Sequence, residues 1–226
     1  VIARLRDPGT ADRCREYIDR PTNFLLRLGD FDNFYIANSR AHPKFIGRSL
    51  EEISKERSLD RTQTILRFAS DEGPAFAGVL IRHIFTRQDD LDMLLADSYC
   101  SVGSDGAIGA MDGLLGEMVM NRSSYGYAPR FIEEYALQRS IFTVEEAVRK
   151  LTSLPADSAQ LHDRGRLAPG MAADLVIIDP PHLKDNSTDD TPQAYPSGID
   201  MVAVNGQIVF EDGNHTQRLP GQILQI

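Results

Sequence analysis

The apolar positions of the chain change period several times. The run FDNFYIANS gathers aromatic and β-branched residues and stops at small polar ones, which predicts a strand. From Arg40 to about Gly73 the period becomes helical. Ser49 precedes an acidic first turn with Ile53 on the apolar side, and Ile65, Leu66 and Phe68 mark a second helix joined to the first near Leu59. AFAGVLIRHI then predicts a short, strongly apolar strand, and QDDLDMLLAD a compact amphipathic helix whose acidic start suits the positive helix end. YCSVGSDG is an apolar, β-favouring run that ends abruptly at Asp105. Strand, helix, strand in that order predicts a parallel α/β arrangement.

The pattern on either side is consistent with this core. VIARLRDPGT opens two short helical patterns, interrupted at Pro8 and Gly9, with Thr10 as the expected cap of the second. Beyond Asp105 a loop rich in Gly and Met leads to helices over APRFIEEYALQ and TVEEAVRKLTSLPADSAQL, the latter capped by Thr143 with Glu146 in the capping-box position. Gly165 and Pro169-Gly170 mark turns, after which DLVIIDP and DMVAVNGQIVFEDG are β in texture, and Asn205-Gly206 predicts a hairpin over Val202 to Phe210. Residues 183–198 are rich in Asp, Pro and Ser and predict a surface excursion. The simplest division is an α/β portion over residues 1–160 and a β portion over 161–226, the second with too few strands to close a sandwich by itself.

Composition narrows the function classes. Thirty-three acidic side chains against 24 basic ones give a formal charge of −9 with no basic tract, which disfavours nucleic acid and anionic membrane surfaces as partners. No apolar run is long enough to span a bilayer, and the only cysteines, Cys14 and Cys100, form no Cys-x-x-Cys pair, so a soluble protein of a reducing, cytoplasmic compartment is expected.

Among polar residues, Asp105 has the most to offer. Parallel sheets and barrels place functional groups at the C-terminal ends of strands, and a carboxylate there can bind a divalent metal and relay a proton from water to a leaving group. Gly103 and Gly106 on either side permit close backbone approach. The alternative is a structural one, in which Asp105 caps the following turn through its own side chain. The histidines His42, His83, His162, His182 and His215 form neither HExxH nor His-x-His, so no complete zinc site is visible. Ser104 lacks the G-x-S-x-G elbow. Arg122, Tyr125 and Arg130 follow the SDG loop and are candidates to bind a substrate carboxylate, the arginines through bidentate pairing, with packing roles as the alternative.

Taken together these landmarks resemble the N-acyl-D-amino-acid deacylases, or D-aminoacylases, of the amidohydrolase superfamily. The resemblance runs through VIARLRDPGT, FDNFYIANSRAHPKFIGRSLEEISKERS, DDLDMLLAD, VGSDG, YGYAPRF, TVEEAVRKLTSLPADSAQLHDRGRLAPGMAADLVIIDP and VNGQIVFEDGNHTQRLPGQIL, nearly the whole chain. It implies the C-terminal part of a metal-dependent (β/α)8 TIM barrel followed by part of a composite β-sandwich. In that frame FDNFYIANS is the seventh strand, residues 40–88 a small insertion and YCSVGSDG the eighth strand.

The resemblance further implies a zinc-dependent enzyme with one or two ions that hydrolyses an N-acyl-D-amino acid. Asp105 matches the family's metal-associated general base and acid. The other metal ligands would lie before Val1, so the expected partner is the N-terminal half of the same polypeptide, without which this chain would be inactive. One departure stands out. Asn121, Arg122 and Ser123 occupy the place where the family carries His-Pro-Arg ahead of Tyr-Gly. A related amidohydrolase acting on a cyclic amide or another small N-substituted substrate, and a non-catalytic homologue used for binding or assembly, are the alternatives.

Overall fold

The computed structural model describes residues 2–18, 31–73, 79–84, 86–107, 109–116, 120–189 and 191–224. They belong to two compact units, Val1–Arg87 with Gly116–Val119 and Gln88–Leu115 with Met120–Ile226.

The first unit opens with helices α1 (Ile2–Leu5) and α2 (Pro8–Ile18). The cap of α2 is Asp7, not Thr10 as expected: its carboxylate accepts the Thr10 N–H at 2.8 Å and the Thr10 hydroxyl at 3.1 Å. Pro8 fits just inside the helix because an N–H is not needed there. Strand β1 (Phe34–Asn38) forms as expected, but it pairs antiparallel with β2 (Leu80–His83), Phe34 opposite His83 and Ile36 opposite Ile81. The sequence pattern left the pairing of β1 open, and the structure makes it antiparallel. The stretch 74–78, which includes the start of the predicted strand AFAGVLIRHI, lies outside the described residues.

Between the two strands, α3 (Leu50–Arg57) and α4 (Arg61–Asp71) meet near Leu59, as their period predicts. Both carry full capping boxes. Ser49 Oγ accepts the Glu52 N–H and Glu52 returns a carboxylate to the Ser49 N–H, each at 3.2 Å, while Asp60 and Gln63 make the same exchange at 2.7 and 3.0 Å. The hydrogen bond from the Gln63 backbone, opposed by partial burial and reinforced by Arg15, holds the Asp60 carboxyl below its ordinary range. Phe31, Ile36, Phe45, Leu50, Ile53 and Phe68 close the core of this unit. His42 sits against Phe45 and Phe68, with its ring nitrogens on Asp71 at 3.0 Å and on Arg57 at 3.2 Å. It is a packed, hydrogen-bonded residue.

In the second unit, α5 (Gln88–Ala96) leads into residues 100–107, which run without helix or strand structure. The expected strand does not form there. Among the described residues it has no strand neighbour, and its Val102 N–H donates instead to the Lys150 carbonyl at 3.3 Å. Helix α6 (Ser123–Arg130) is kinked at Gly126 and contains Pro129, which has no N–H to give, and it continues into a π-helical turn over Phe131–Gln138. Helices α7 (Val144–Leu151) and α8 (Ser153–Ser158) follow, with Thr143 Oγ1 accepting the Glu146 N–H at 3.2 Å as the cap pattern predicts.

The unit ends in an antiparallel sheet ordered β3 (Leu175–Ile178), β4 (Ile199–Val204), β5 (Gln207–Glu211) and β6 (Asn214–His215). The hairpin turn is Asn205-Gly206, with φ of 48° and 76°, the left-handed pair that a two-residue turn between twisted strands requires. The polar stretch 183–198 is more than a surface excursion. Leu183 and Ser187 are buried, and an isolated bridge joins Lys184 to Ser197. No helix among the described residues is long and apolar enough to cross a membrane.

The core of this unit gathers Leu95, Phe131, Ile132, Tyr135, Ala136, Ala147 and Leu183, with Cys100 and Val102 packed against it. Inside it lies a lysine. Lys150 has a side chain 0% exposed, and its ammonium donates to the carbonyl oxygens of Asp97 and of Cys100, the latter at 3.1 Å, with Glu146 Oε1 at 3.6 Å. A hydrogen bond from Arg149 holds the Glu146 carboxyl below its ordinary range, so it remains charged beside the ammonium.

Two substitutions test these supports. Ser49→Ala should lower stability by about 1 kcal/mol, read as a shift in urea midpoint with unchanged slope. Lys150→Met should cost about 2–4 kcal/mol by the same measurement, because the Asp97 and Cys100 carbonyls lose the donor that ties them to the core.

Candidate functional site

Asp105 lies at the end of the segment that Lys150 anchors. Its backbone is left-handed, φ 45°, a conformation that Asp tolerates better than most residues, and its side chain is exposed. The turn is closed by its neighbour. Ser104 Oγ accepts the Gly106 N–H at 3.0 Å, so the capping role that the sequence leaves open to Asp105 is taken by Ser104. Among the described residues the Asp105 carboxylate has no hydrogen-bond or ion-pair partner.

The two flanking glycines differ. A Cβ on Gly106 would lie 2.9 Å from Ser124 Cα, so only glycine lets the turn approach α6 this closely. A Cβ on Gly103 would meet nothing within 4 Å. The Ala107 N–H donates to Ser124 Oγ at 3.1 Å, and a Cβ on Gly109 would fall 2.6 Å from the Tyr125 hydroxyl. The chain is thus fixed by Lys150 at Cys100 and Val102, before Asp105, and by the amino end of α6 at Gly106 and Ala107, just after it.

Arg122, at that amino end, points its guanidinium into the loop 185–189. It donates to Asp185 Oδ2 at 2.8 Å and to the Ser187 carbonyl at 2.7 Å, with its Nε 3.4 Å from Ser187 Oγ and its Nη1 3.9 Å from Asp189. The Asp185 side chain is 3% exposed. Tyr125 packs against Tyr195, ring centroids 6.3 Å apart, and its hydroxyl is 3.4 Å from Gln193 Nε2. Arg130 donates to Glu134 at 2.9 Å. Burial works against its charge, but the hydrogen bond to Glu134 and that carboxylate's charge raise it above the ordinary guanidinium value. Of the sequence candidates, the structure brings Tyr125 to the glycine-rich loop that follows Asp105 and ties Arg122 and Arg130 to carboxylates of the chain itself.

Several supports of this site were absent from the sequence reading: Lys150, Ser124 and Asp185. Their partners lie 53, 17 and 63 residues away respectively, beyond the reach of any local pattern. Asp185 was masked further by the polar composition of its surroundings, which reads as solvated loop.

No group of three or more His, Cys, Asp or Glu side chains able to hold a metal occurs among the described residues. Asp105 can supply one carboxylate to such a centre, and these residues alone do not complete one. Cys14 and Cys100 are free thiols, and Cys100 packs against the core.

Comparison with known proteins puts this geometry in context. A sequence model of the Amidohydrolase family matches residues 44–210. The N-acyl-D-glutamate deacylase of Alcaligenes xylosoxydans xylosoxydans is 33% identical over 207 residues, 88% of this chain and 38% of that protein. The D-aminoacylase of the same organism is 30% identical over 182 residues, 80% of this chain and 34% of that one. Among solved structures, the N-acyl-D-glutamate deacylase of Bordetella bronchiseptica, complexed with zinc and a phosphonate mimic of the tetrahedral intermediate, gives a TM-score of 0.68 at 30% identity. That match covers 88% of this chain and 39% of the other. A D-aminoacylase studied for its binuclear metal centre gives 0.65 at 30% identity, covering 82% and 36%. The chain spans less than two fifths of the length of these relatives, 34% to 39%. An α/β region with an added antiparallel sheet, matched over most of its length at about 30% identity, makes this chain a member of the amidohydrolase family, in its D-aminoacylase-like branch.

Proposed function

We propose that the polypeptide containing this chain is a metal-dependent amide hydrolase that releases a carboxylate and a D-amino acid from an N-acyl-D-amino acid, with Asp105 as its proton-relaying carboxylate. The observation that carries this reading is an exposed, unpaired carboxylate on a turn that Ser104 already closes. The names and metals of the relatives supply the substrate class and the expectation of zinc. The remaining ligands are assigned to the N-terminal portion of the same polypeptide, which is also the expected partner of this chain. Of the sequence candidates for substrate contact, Tyr125 and Arg130 are kept in this reading, and Arg122 is given a different part below. The free thiols suit a reducing compartment, and the cytoplasm is the proposed location.

A divalent cation in such a site lowers the pKa of water and polarises a carbonyl. The part assigned to this chain is the proton. In the proposed reaction, the Asp105 carboxylate takes the proton of the attacking water as the C–O bond forms, and gives it to the amide nitrogen as the C–N bond breaks, so the amine leaves neutral. Free rotation of an unpaired carboxylate allows both transfers, which a carboxylate locked into a cap would not.

In the full-length protein, Asp105→Asn should lower kcat by about 10²–10⁴-fold while leaving the circular dichroism spectrum unchanged, measured by amine release from N-acyl-D-glutamate, N-acyl-D-aspartate and a neutral N-acyl-D-amino acid. Retained turnover would reject the assignment. Chelation should abolish the wild-type activity and added zinc should restore it, with metal content followed by elemental analysis. Turnover that survives in metal-free protein would remove the metal from the proposal.

A further inference from the structure

We propose that Asp185 and Arg122 form a positioning pair for Asp105, so that Arg122 acts through the loop that carries the carboxylate and not by binding substrate. The inference rests on the reading of Asp105 as the catalytic carboxylate and adds to it a device within the chain that sets its place.

The guanidinium of Arg122 is bound along one edge. One nitrogen is shared between Asp185 Oδ2 and the Ser187 carbonyl, Nε approaches Ser187 Oγ, and Nη1 lies nearest the Asp189 carboxylate. The second oxygen of Asp185 is equally occupied, accepting the Ser187 N–H at 2.9 Å and the Ser187 hydroxyl at 2.6 Å. Asp185 is itself fixed from behind, its N–H donating to Glu133 at 2.9 Å. A carboxylate 3% exposed needs partners on both oxygens, and this one has them, Arg122 on Oδ2 and Ser187 on Oδ1.

From this pair to Asp105 every link is short. A Cβ on Gly126 would lie 2.2 Å from Asp185 Oδ1, so the backbone of α6 rests on the carboxylate with no side chain between them. Two residues beyond Arg122, Ser124 receives the Ala107 N–H at 3.1 Å and lies within 2.9 Å of where a Gly106 Cβ would be. The Ala107–Ser124 hydrogen bond and the close packing of Gly106 on Ser124 thus couple the turn at Asp105 to the amino end of α6, and the packing of Gly126 couples that helix to Asp185. A displacement of about 1 Å at a reacting group costs on the order of 100-fold in rate, so a pair that fixes this turn is visible in kcat.

The experiment uses the full-length, metal-loaded protein with Asp185→Asn, Arg122→Met, Arg122→Lys, the double variant Asp185→Asn/Arg122→Met, and Ser124→Ala. Hydrogen–deuterium exchange of the peptide spanning 103–110 is measured beside kcat, KM and the melting temperature. Asp185→Asn and Arg122→Met should each speed exchange at Gly106 and Ala107 by about tenfold and lower kcat by about 10–100-fold with KM within about twofold. The double variant should be no worse than either single one, and Arg122→Lys should recover part of the loss. Ser124→Ala leaves the buried pair intact and should reproduce the exchange and kcat effects without a change in melting temperature. Unchanged exchange in Asp185→Asn and Arg122→Met would overturn the proposal. So would a rise in KM alone that is confined to substrates with a free α-carboxylate and absent for their carboxamides, since Arg122 would then be a substrate ligand. If the wild-type protein hydrolyses no N-acyl amino acid, the functional reading fails, and the exchange data still decide whether the pair holds the turn.

Discussion

A buried ammonium governs the course of the segment that ends at Asp105. Removing a charge from water costs several kcal/mol unless aligned acceptors replace the lost hydration. For Lys150 those acceptors are the carbonyls of Asp97 and Cys100, with Glu146 alongside. Few paths through this region satisfy that requirement. The chain must turn after α5 so that both carbonyls face inward, and Val102 is then placed to donate to the Lys150 carbonyl. Cys100 and Val102 pack against the core as a consequence of the same path. Arg149 supports it from outside by donating to the Ser98 carbonyl. A segment with no strand partner among the described residues thereby acquires a defined exit direction, and Asp105 sits at that exit.

Legibility of the sequence followed the range of the interactions. Capping boxes at Ser49 and the hairpin at Asn205-Gly206 involve residues a few positions apart, so their chemistry is written locally and the structure repeats it. The cap of α2 shows how fine the local margin is. Asp7 and Thr10 are both cap formers, and Pro8 decides between them because it belongs inside the first turn. Pairing is another matter. Nothing within FDNFYIANS states whether its partner will run parallel or antiparallel, and the alternation of strand and helix that suggested parallel strands does not specify who pairs with whom. The run YCSVGSDG has strand composition, but strand structure is a property of two segments, and among the described residues 100–107 have no strand beside them.

The candidate site shows the same division. The position of Asp105 after an apolar run was visible, and the two uses of its side chain, turn cap or chemistry, were both reasonable. What separated them is a detail of the next residue's amide. Ser104 accepts the Gly106 N–H, and the backbone at Asp105 takes up a left-handed φ of 45° that directs the chain into close contact with Ser124. The carboxylate is then available for something other than the turn. Gly106 contributes by what it lacks, since any Cβ there would strike the backbone of α6. Composition could nominate this glycine for close approach, but its equivalence with Gly103 was lost only when the packing was known.

Arg122 illustrates why residue type alone does not assign a role. A guanidinium near a catalytic loop offers a planar fork suited to a carboxylate, and that carboxylate can belong to a ligand or to the protein. The two cases differ in burial. Arg122 keeps part of its side chain exposed, 24%, but the carboxylate it pairs with is 3% exposed and is its strongest partner. The asymmetry is energetic as well. Withdrawing Arg122 to meet a substrate would leave Asp185 charged and buried with only Ser187 to support it, a state several kcal/mol less favourable than the pair. A substrate carboxylate in partly solvated surroundings offers less than that in return, because its own hydration must be given up on binding. The buried partner therefore wins the competition for this side chain.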